Sequence, residues 1–164
     1  MRNILICLIF SCIVSCDTNP LYIKYNSLNG GWLKDSVQHF SFPNGDKSIL
    51  TNSYLMLRVN QKYRYNNIFV IITVANSNGT ILRDTIEYKV ADNFGKFIGS
   101  KMINIYELSL LHKKGIQLMP KENYFINVEH AMRNADETVG VERLEGVLDV
   151  CLLYTSPSPR DATL

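Results

Sequence analysis

The central part of the chain alternates apolar and polar residues with a period of two, which is the pattern of half-buried β-strands. Two such segments, 68–74 and 82–90, flank Asn78-Gly79, and this pair predicts a tight hairpin turn because it tolerates positive φ. Similar segments cover residues 38–42, 54–59, 124–132 and 144–150. About seven to eight short strands separated by turns predict an all-β fold, an antiparallel β-sandwich.

One segment, 103–111, fits either a strand or a helix. Ile105, Leu108 and Leu111 are spaced for one face of a helix. Tyr106, Leu108 and Leu110 fall instead on one face of a strand. We favour the strand, because the residues between these three are polar or point to the opposite face.

The N-terminal end has the features of a bacterial lipoprotein signal. A short basic start precedes an almost uninterrupted apolar segment, 4–14, which is too short for a membrane-spanning helix of about 20 residues. Ser15-Cys16 then closes it like a lipobox, in which the cysteine thiol is acylated and the preceding peptide is removed. An ordinary secretory peptide with a chance cysteine and an uncleaved N-terminal anchor are the alternatives. The predicted divisions are a signal peptide at 1–15, lipidated Cys16 with a tether at 16–21, and a sandwich domain at 22–150.

The C-terminal end changes character at Cys151. Residues 151–164 resemble translated adapter sequence, and the alternative is a native disordered tail rich in Pro and Ser. Cys7 and Cys12 lie in the predicted signal peptide, so the cysteine count leaves the domain at 22–150 without a cysteine for a disulfide, a thiolate metal site or a nucleophile.

Composition and motif searches exclude several function classes. The 17 Lys and Arg residues nearly balance 15 Asp and Glu residues, and no basic run exists, so no nucleic-acid partner is predicted. The three histidines, His39, His112 and His130, lack any metal-ligand spacing, and His130 is in phase with apolar residues of a predicted strand. No nucleophile elbow or phosphate-binding loop is present. We therefore predict no catalytic residues, no metal, no cofactor and no small-molecule substrate.

One polar and aromatic cluster is a candidate binding site. In Tyr63-Arg64-Tyr65-Asn66-Asn67, two aromatic rings flank a guanidinium and two amides follow, a combination able to stack on a sugar or to hold a partner loop. The alternative is a turn at the start of a strand, in which one Tyr packs inward and Asn67 caps the backbone. Arg133 is a second candidate contact, with pairing to a carboxylate as its alternative.

Several short sequences point together to one family. They are the lipobox, Trp32 after Tyr25, and the segments 63–69, 84–88, 91–99, 123–125 and 131–133. In combination they resemble the GldH family of gliding-motility lipoproteins. The resemblance covers roughly residues 16–150, with Arg64 where the family commonly has Pro and Phe97 where it commonly has Trp. The family usually continues after Val150 with a Gly and a final strand residue or two.

The resemblance implies an outer-membrane lipoprotein of Bacteroidota that faces the periplasm. It implies a role beside other gliding-motility lipoproteins and the type IX secretion system, without enzymatic activity. A glycan-binding lipoprotein that uses the Tyr63 cluster is the alternative function. Ser36 and Thr85 also fit the Asp-Ser/Thr-aliphatic pattern for O-glycan attachment in the periplasm of this phylum.

Overall fold

The computed structural model describes residues 20–134 and 137–157, and this part of the chain forms eleven β-strands. In this part of the chain there is no helix long and apolar enough to span a membrane. The strands are β1 (Tyr22–Ser27), β2 (Trp32–Leu33), β3 (Gln38–Pro43), β4 (Ile49–Val59), β5 (Asn67–Asn76), β6 (Gly79–Lys89), β7 (Ser100–Met102), β8 (Ile105–Leu118), β9 (Asn123–His130), β10 (Arg143–Leu144) and β11 (Val147–Thr155).

Two large antiparallel sheets form the sandwich. One has the strand order β1-β11-β4-β8-β7 and the other the order β3-β9-β5-β6, while β2 and β10 form a separate pair. Side chains from the inner faces of both large sheets make one core, because alternate residues of each strand point between the sheets. The predicted all-β antiparallel sandwich is confirmed.

The predicted segments fall on the strands of this core. The hairpin of β5 and β6 turns at residues 76–79, and its register pairs Val70 with Ile86. Leu108 and Leu110 of β8 are buried, so the ambiguous segment at 103–111 contributes to a strand, as favoured. The strands β1, β2 and β7 were not predicted, because they are short and show no clean alternation.

The predicted end of the domain at residue 150 is wrong. Strand β11 continues to Thr155, where it pairs with β1 on one side and β4 on the other, and Cys151, Leu152 and Tyr154 are buried. The domain therefore contains a free cysteine, contrary to prediction, and burial raises the pKa of the Cys151 thiol to about 11. Residues 158–164 lie outside the described residues, and the non-native origin of residues 151–164 stays a prediction.

The sandwich has two distinct ends. At the first, which we call the proximal end, the Phe42 ring packs against the rings of Tyr22, Tyr124 and Tyr154, and the Leu21 amide donates to the Tyr154 carbonyl at 2.9 Å. The chain toward Cys16, which lies outside the described residues with the signal peptide, therefore leaves from this end. The distal end carries the loops at 60–66, 91–99 and 131–146. Along β8, the seven residue steps from Tyr106, opposite Val59, to Lys113, opposite Ser53, cover about 24 Å at 3.4 Å per residue.

Candidate binding surface

The loop that carries Arg64 is fixed at the distal end by backbone hydrogen bonds. Asn60 donates its amide to the Gly146 carbonyl at 2.9 Å, and its own carbonyl accepts from the Tyr63 amide at 3.0 Å. The Asn60 side-chain oxygen also accepts from the Lys62 amide at 2.9 Å. Because Gly146 lacks a side chain, the loop backbone approaches it closely. The loop is thus held against the start of β11.

Tyr63 is a support of this loop and not a contact residue, which corrects the prediction. Its ring is only 5% exposed, and its hydroxyl donates to the Asn67 carbonyl at 2.7 Å. Burial raises the pKa of Tyr63, because the phenolate would lose its hydration in the core. The alternative interpretation of this segment, a turn at the start of a strand, predicted that one Tyr packs inward, and Tyr63 does so.

Tyr65 and Arg64 face outward from the same loop. The half-buried Tyr65 ring meets Tyr63 edge-on at 5.7 Å, and its hydroxyl donates to the Asn134 side-chain oxygen at 3.1 Å. Arg64 is exposed and has no hydrogen bond or ion pair with any residue in the described ranges. A rigid aromatic base and a free guanidinium are thereby adjacent.

Two depressions adjoin this pair, and we name them together the Arg64 surface. The first, about 200 Å³, is lined by Lys62, Arg64, Tyr65, Arg143 and Glu145. The second, about 730 Å³, is lined by Arg133 and other residues of the 131–140 loop, together with Lys34 and the strand residues Phe69, Thr85 and His130. The hydrogen bond between Tyr65 and Asn134 lies where they meet. Cationic side chains with an aromatic ring suit recognition of carboxylates on a partner chain.

The predicted contact residues have different outcomes. Arg64 and Tyr65 share a depression, and exposed Arg133 lies in the neighbouring one. Asn67 instead donates its side-chain amide to Glu87 of β6 at 2.6 Å, so it neither caps the backbone nor projects freely. Arg143 and Asn134 were not predicted, because no local pattern links them to residues so distant in sequence, and Lys62, which adjoins Tyr63, was not singled out by the aromatic and amide pattern.

The O-glycan positions differ in access. Thr85 is exposed near the middle of β6, whereas half-buried Ser36 accepts a hydrogen bond on its hydroxyl from Gln38 at 3.0 Å. Attachment of a glycan at either residue stays a prediction.

A serine, a histidine and an aspartate meet inside the sandwich. The Ser53 hydroxyl lies 2.9 Å from His112 Nδ1, and His112 Nε2 lies 3.4 Å from Asp84 Oδ2. Ser53 and the His112 side chain are fully buried, so no substrate has access to the hydroxyl. Together with the hydrogen bond from Tyr88 to the Leu111 carbonyl, the group links β6 to the opposite sheet. Among the described residues, no cluster of three His, Cys, Asp or Glu could hold a metal ion.

His130 makes the stability of the fold depend on pH. It lies in the core with its ring 5.4 Å from that of Trp32, and neither ring nitrogen completes a hydrogen bond. Burial lowers the pKa of His130 from its ordinary value near 6.5 to about 4, although the Trp32 carbonyl partly opposes this shift. Burial also lowers the pKa of His112. Both histidines are therefore neutral in the folded protein at pH 7.

We expect the free energy of unfolding to fall as the pH is lowered from about 6.5 to 4. In this window the unfolded chain binds a proton at His130 that the folded chain does not bind, which removes about 3 kcal/mol. Urea unfolding at several pH values measures this loss of unfolding free energy. The loss should be smaller for His130→Leu than for the parent protein. The exposed His39 supplies the control His39→Asn, which should keep the parental slope. Equal slopes for His130→Leu and the parent would contradict the assignment.

Comparison with known proteins decides the family of this sandwich. A family profile described as GldH lipoprotein matches residues 20–152. The chain belongs to the GldH lipoprotein family. This confirms the resemblance, and it makes the chain a membrane-associated lipoprotein of gliding motility.

Relatives within the GldH family match along most of their length. The chain is 33% identical over 138 residues to the gliding motility lipoprotein GldH of Flavobacterium johnsoniae, covering 84% of this chain and 86% of that protein. It is 30% identical over 136 residues to the GldH homolog of Christiangramia forsetii, covering 83% of each. Among solved structures, dimeric latent PorU from Porphyromonas gingivalis matches 86% of this chain and 13% of its own, with 8% identity and a TM-score of 0.35. A TM-score this low carries no argument about fold or function.

Proposed function

We propose that this chain is a non-enzymatic component of the gliding motility and type IX secretion apparatus, which binds other motility lipoproteins through the Arg64 surface. The observation that carries the proposal is that exposed Arg64, which has no partner among the described residues, lies beside the fixed Tyr65 ring at the end opposite the chain toward Cys16. Rigid aromatic and arginine side chains are the residues that dominate binding energy at protein interfaces. Family membership supplies the cellular setting.

The proposed location is the periplasmic face of the outer membrane, with the lipid on Cys16. Leu21 is already joined to the sheet, and four residues separate it from Cys16, so the proximal end lies near the bilayer in this arrangement. The five residue steps from Cys16 to Leu21 span at most about 18 Å when the chain is extended. The Arg64 surface then faces away from the membrane, where it is open to a protein partner.

We expect Arg64→Ala combined with Tyr65→Ala to reduce recovery of motility lipoproteins about tenfold in crosslinked pull-downs from the native host. Arg64 is exposed but the half-buried Tyr65 ring packs on Tyr63, so we expect the double variant to stay folded with a melting temperature about 5 °C lower, which circular dichroism checks. Arg83→Ala is the matched control, because exposed Arg83 lies on β6 outside the Arg64 surface. Parental protein that recovers only bulk porins, or a double variant that recovers the parental set, would contradict the proposal.

The alternative function, glycan binding by the Tyr63 cluster, has less support. A stacking platform needs an open aromatic face, and Tyr63 is buried while Tyr65 is half-buried and tied to Asn134. The same geometry leaves Arg64 free for a carboxylate, which favours the protein-binding role.

A further inference from the structure

A rigid turn at the distal end exposes an aromatic ring. The Asp92 carboxylate accepts hydrogen bonds from the amides of Phe94 and Lys96, both at 2.9 Å, and the Asp92 amide donates to the Lys96 carbonyl at 2.8 Å. These amides lower the pKa of Asp92, so the carboxylate stays ionised. At the summit of this turn the Phe94 side chain is 96% exposed. The exposure is thus built into an ordered turn.

The neighbouring hairpin, between β7 and β8, exposes a second apolar side chain, that of Ile103, from a strained backbone conformation. Met102 of β7 pairs with Ile105 of β8, which leaves Ile103 and Asn104 as the two turn residues. Ile103 has a φ of 53° and is 88% exposed. Glycine is preferred at a first turn position with positive φ, and a β-branched side chain there is strained. Backbone strain of this kind persists only where the surrounding structure enforces it, and it clusters at functional sites.

The turn and the hairpin belong to one lobe. Phe97 packs on the Tyr106 ring with centroids 4.8 Å apart, and the Lys101 ammonium lies 5.7 Å from the centroid of the same ring. Gly99 lies against the Glu107 carbonyl, where a Cβ would have no room. We name the exposed residues of this lobe the apolar tip: Phe94, Ile98, Met102 and Ile103.

The charges around the apolar tip restrict what can cover it. Lys96 and Lys101 are exposed beside it, the nearby Glu107 carboxylate is paired with Arg58 at 2.8 Å, and the Asp92 carboxylate is held by the amides of its own turn. A second copy would present the same two lysines with carboxylates that are already engaged, so it complements the tip less well than a surface of opposite charge. A bilayer that holds Cys16 lies at the opposite end of the sandwich in the proposed arrangement. A protein surface with carboxylates at its rim complements the tip.

We propose that the apolar tip is a docking site for a partner protein whose apolar groove is bordered by acidic residues. The proposal adds a second interface to the interaction role proposed above and shares no residue with the Arg64 surface. Phe94 and Ile103 fill the groove, and Lys96 and Lys101 pair with its rim. Binding at exposed, preordered apolar residues avoids the entropy loss of ordering a flexible loop.

Photo-crosslinking of the full-length lipidated protein in its native host tests this site. Phe94→p-benzoylphenylalanine and Ile103→p-benzoylphenylalanine should each give the same adduct with one other protein, with about tenfold higher yield than a control position. Ile81→p-benzoylphenylalanine is that control, because Ile81 is 54% exposed and lies at the proximal end. The crosslinked peptide, identified by mass spectrometry, should combine apolar and acidic residues.

Two further variants separate docking from folding. Lys96→Glu with Lys101→Glu should lower the adduct yield about tenfold, because the rim would then repel the tip. Ile103→Gly, tested with the crosslinker at position 94, should also lower the yield while the melting temperature stays equal or rises, since glycine relieves the strained turn. The proposal would be overturned by an adduct with a second copy or with lipid alone, or by an adduct of equal yield at Ile81. It would also be overturned if no adduct formed, or if the charge reversal left the adduct yield unchanged. Arg64→Ala changes the Arg64 surface and leaves the apolar tip intact. Loss of binding at the Arg64 surface is therefore measured separately from loss of the adduct at the apolar tip.

Discussion

We expect Cys16→Ala to move the protein from the membrane fraction to the soluble fraction of the periplasm. A single acyl chain holds a protein on a bilayer only marginally, so in the proposed arrangement stable attachment depends on the several chains expected at this cysteine. Fractionation of host cells followed by a carbonate wash and immunoblotting measures the change, which we expect to affect nearly all of the protein.

Cys12→Ala provides the matched control for the anchor. Cys12 lies inside the predicted signal peptide, so its replacement should leave the mature protein in the membrane fraction. Cys16→Ala protein that still pelleted after the carbonate wash would show that attachment does not depend on a lipid at this residue.

Gly146→Ala should destabilise the domain by about 3 kcal/mol or more, and lower its melting temperature by about 10 °C. The φ of Gly146 is 81°, and a Cβ there would lie 2.2 Å from the Tyr63 nitrogen and 2.7 Å from the Lys62 carbonyl carbon. Both neighbours are backbone atoms of the loop that carries Arg64, so the loop would have to move. The hydrogen bond from Asn60 to the Gly146 carbonyl and the burial of Tyr63 would be disturbed together. Calorimetry or thermal circular dichroism measures the effect.

Gly115→Ala is the control for Gly146→Ala. It separates the strain of a positive φ from the close contact between an added Cβ and the loop backbone. Gly115 has a φ of 67°, similar to that of Gly146, but an added Cβ would meet nothing within 4 Å. It should therefore lose only about 1 kcal/mol, the cost of positive φ for alanine. If both variants melted within about 2 °C of each other, the contact between Gly146 and the loop would not matter for stability.

The strands with clean alternation could be predicted from the sequence, because burial of one face determines which residues are apolar. The prediction held for β5 and β6, where buried Val70 pairs with half-buried Ile86 on the neighbouring strand. It failed for β1, whose sequence Tyr-Ile-Lys-Tyr-Asn-Ser lies at a sheet edge with no fully buried residue. It also failed at the end of β11, where the Ser-Pro-Ser-Pro segment that follows obscured the apolar run through Tyr154.

The candidate binding surface could be predicted only in part. Arg64 and Tyr65 stand out in the sequence because they are adjacent, but Arg143 reaches the same depression from some eighty residues away. The proximity of Arg64 and Arg143 depends on the tertiary contact between the 60–63 loop and Gly146. The exposure of Phe94 and Ile103 could not be predicted from the sequence either, because apolar residues in a chain with strand periodicity are expected to be buried.

The pairing of β1 with β11 determines how the domain carries mechanical load. Strand β1 is aligned with β11 from Tyr22 opposite Tyr154 to Ser27 opposite Asp149, and its first residue is the one nearest the chain toward Cys16. When the distal end is held and the anchor is pulled, the force runs along β1. Hydrogen bonds of an antiparallel pair are perpendicular to the strands, so this force shears all of them at once and does not open them one by one. The Ser27 hydroxyl, which donates to Asp149 at 2.6 Å, adds resistance at the far end of the strand.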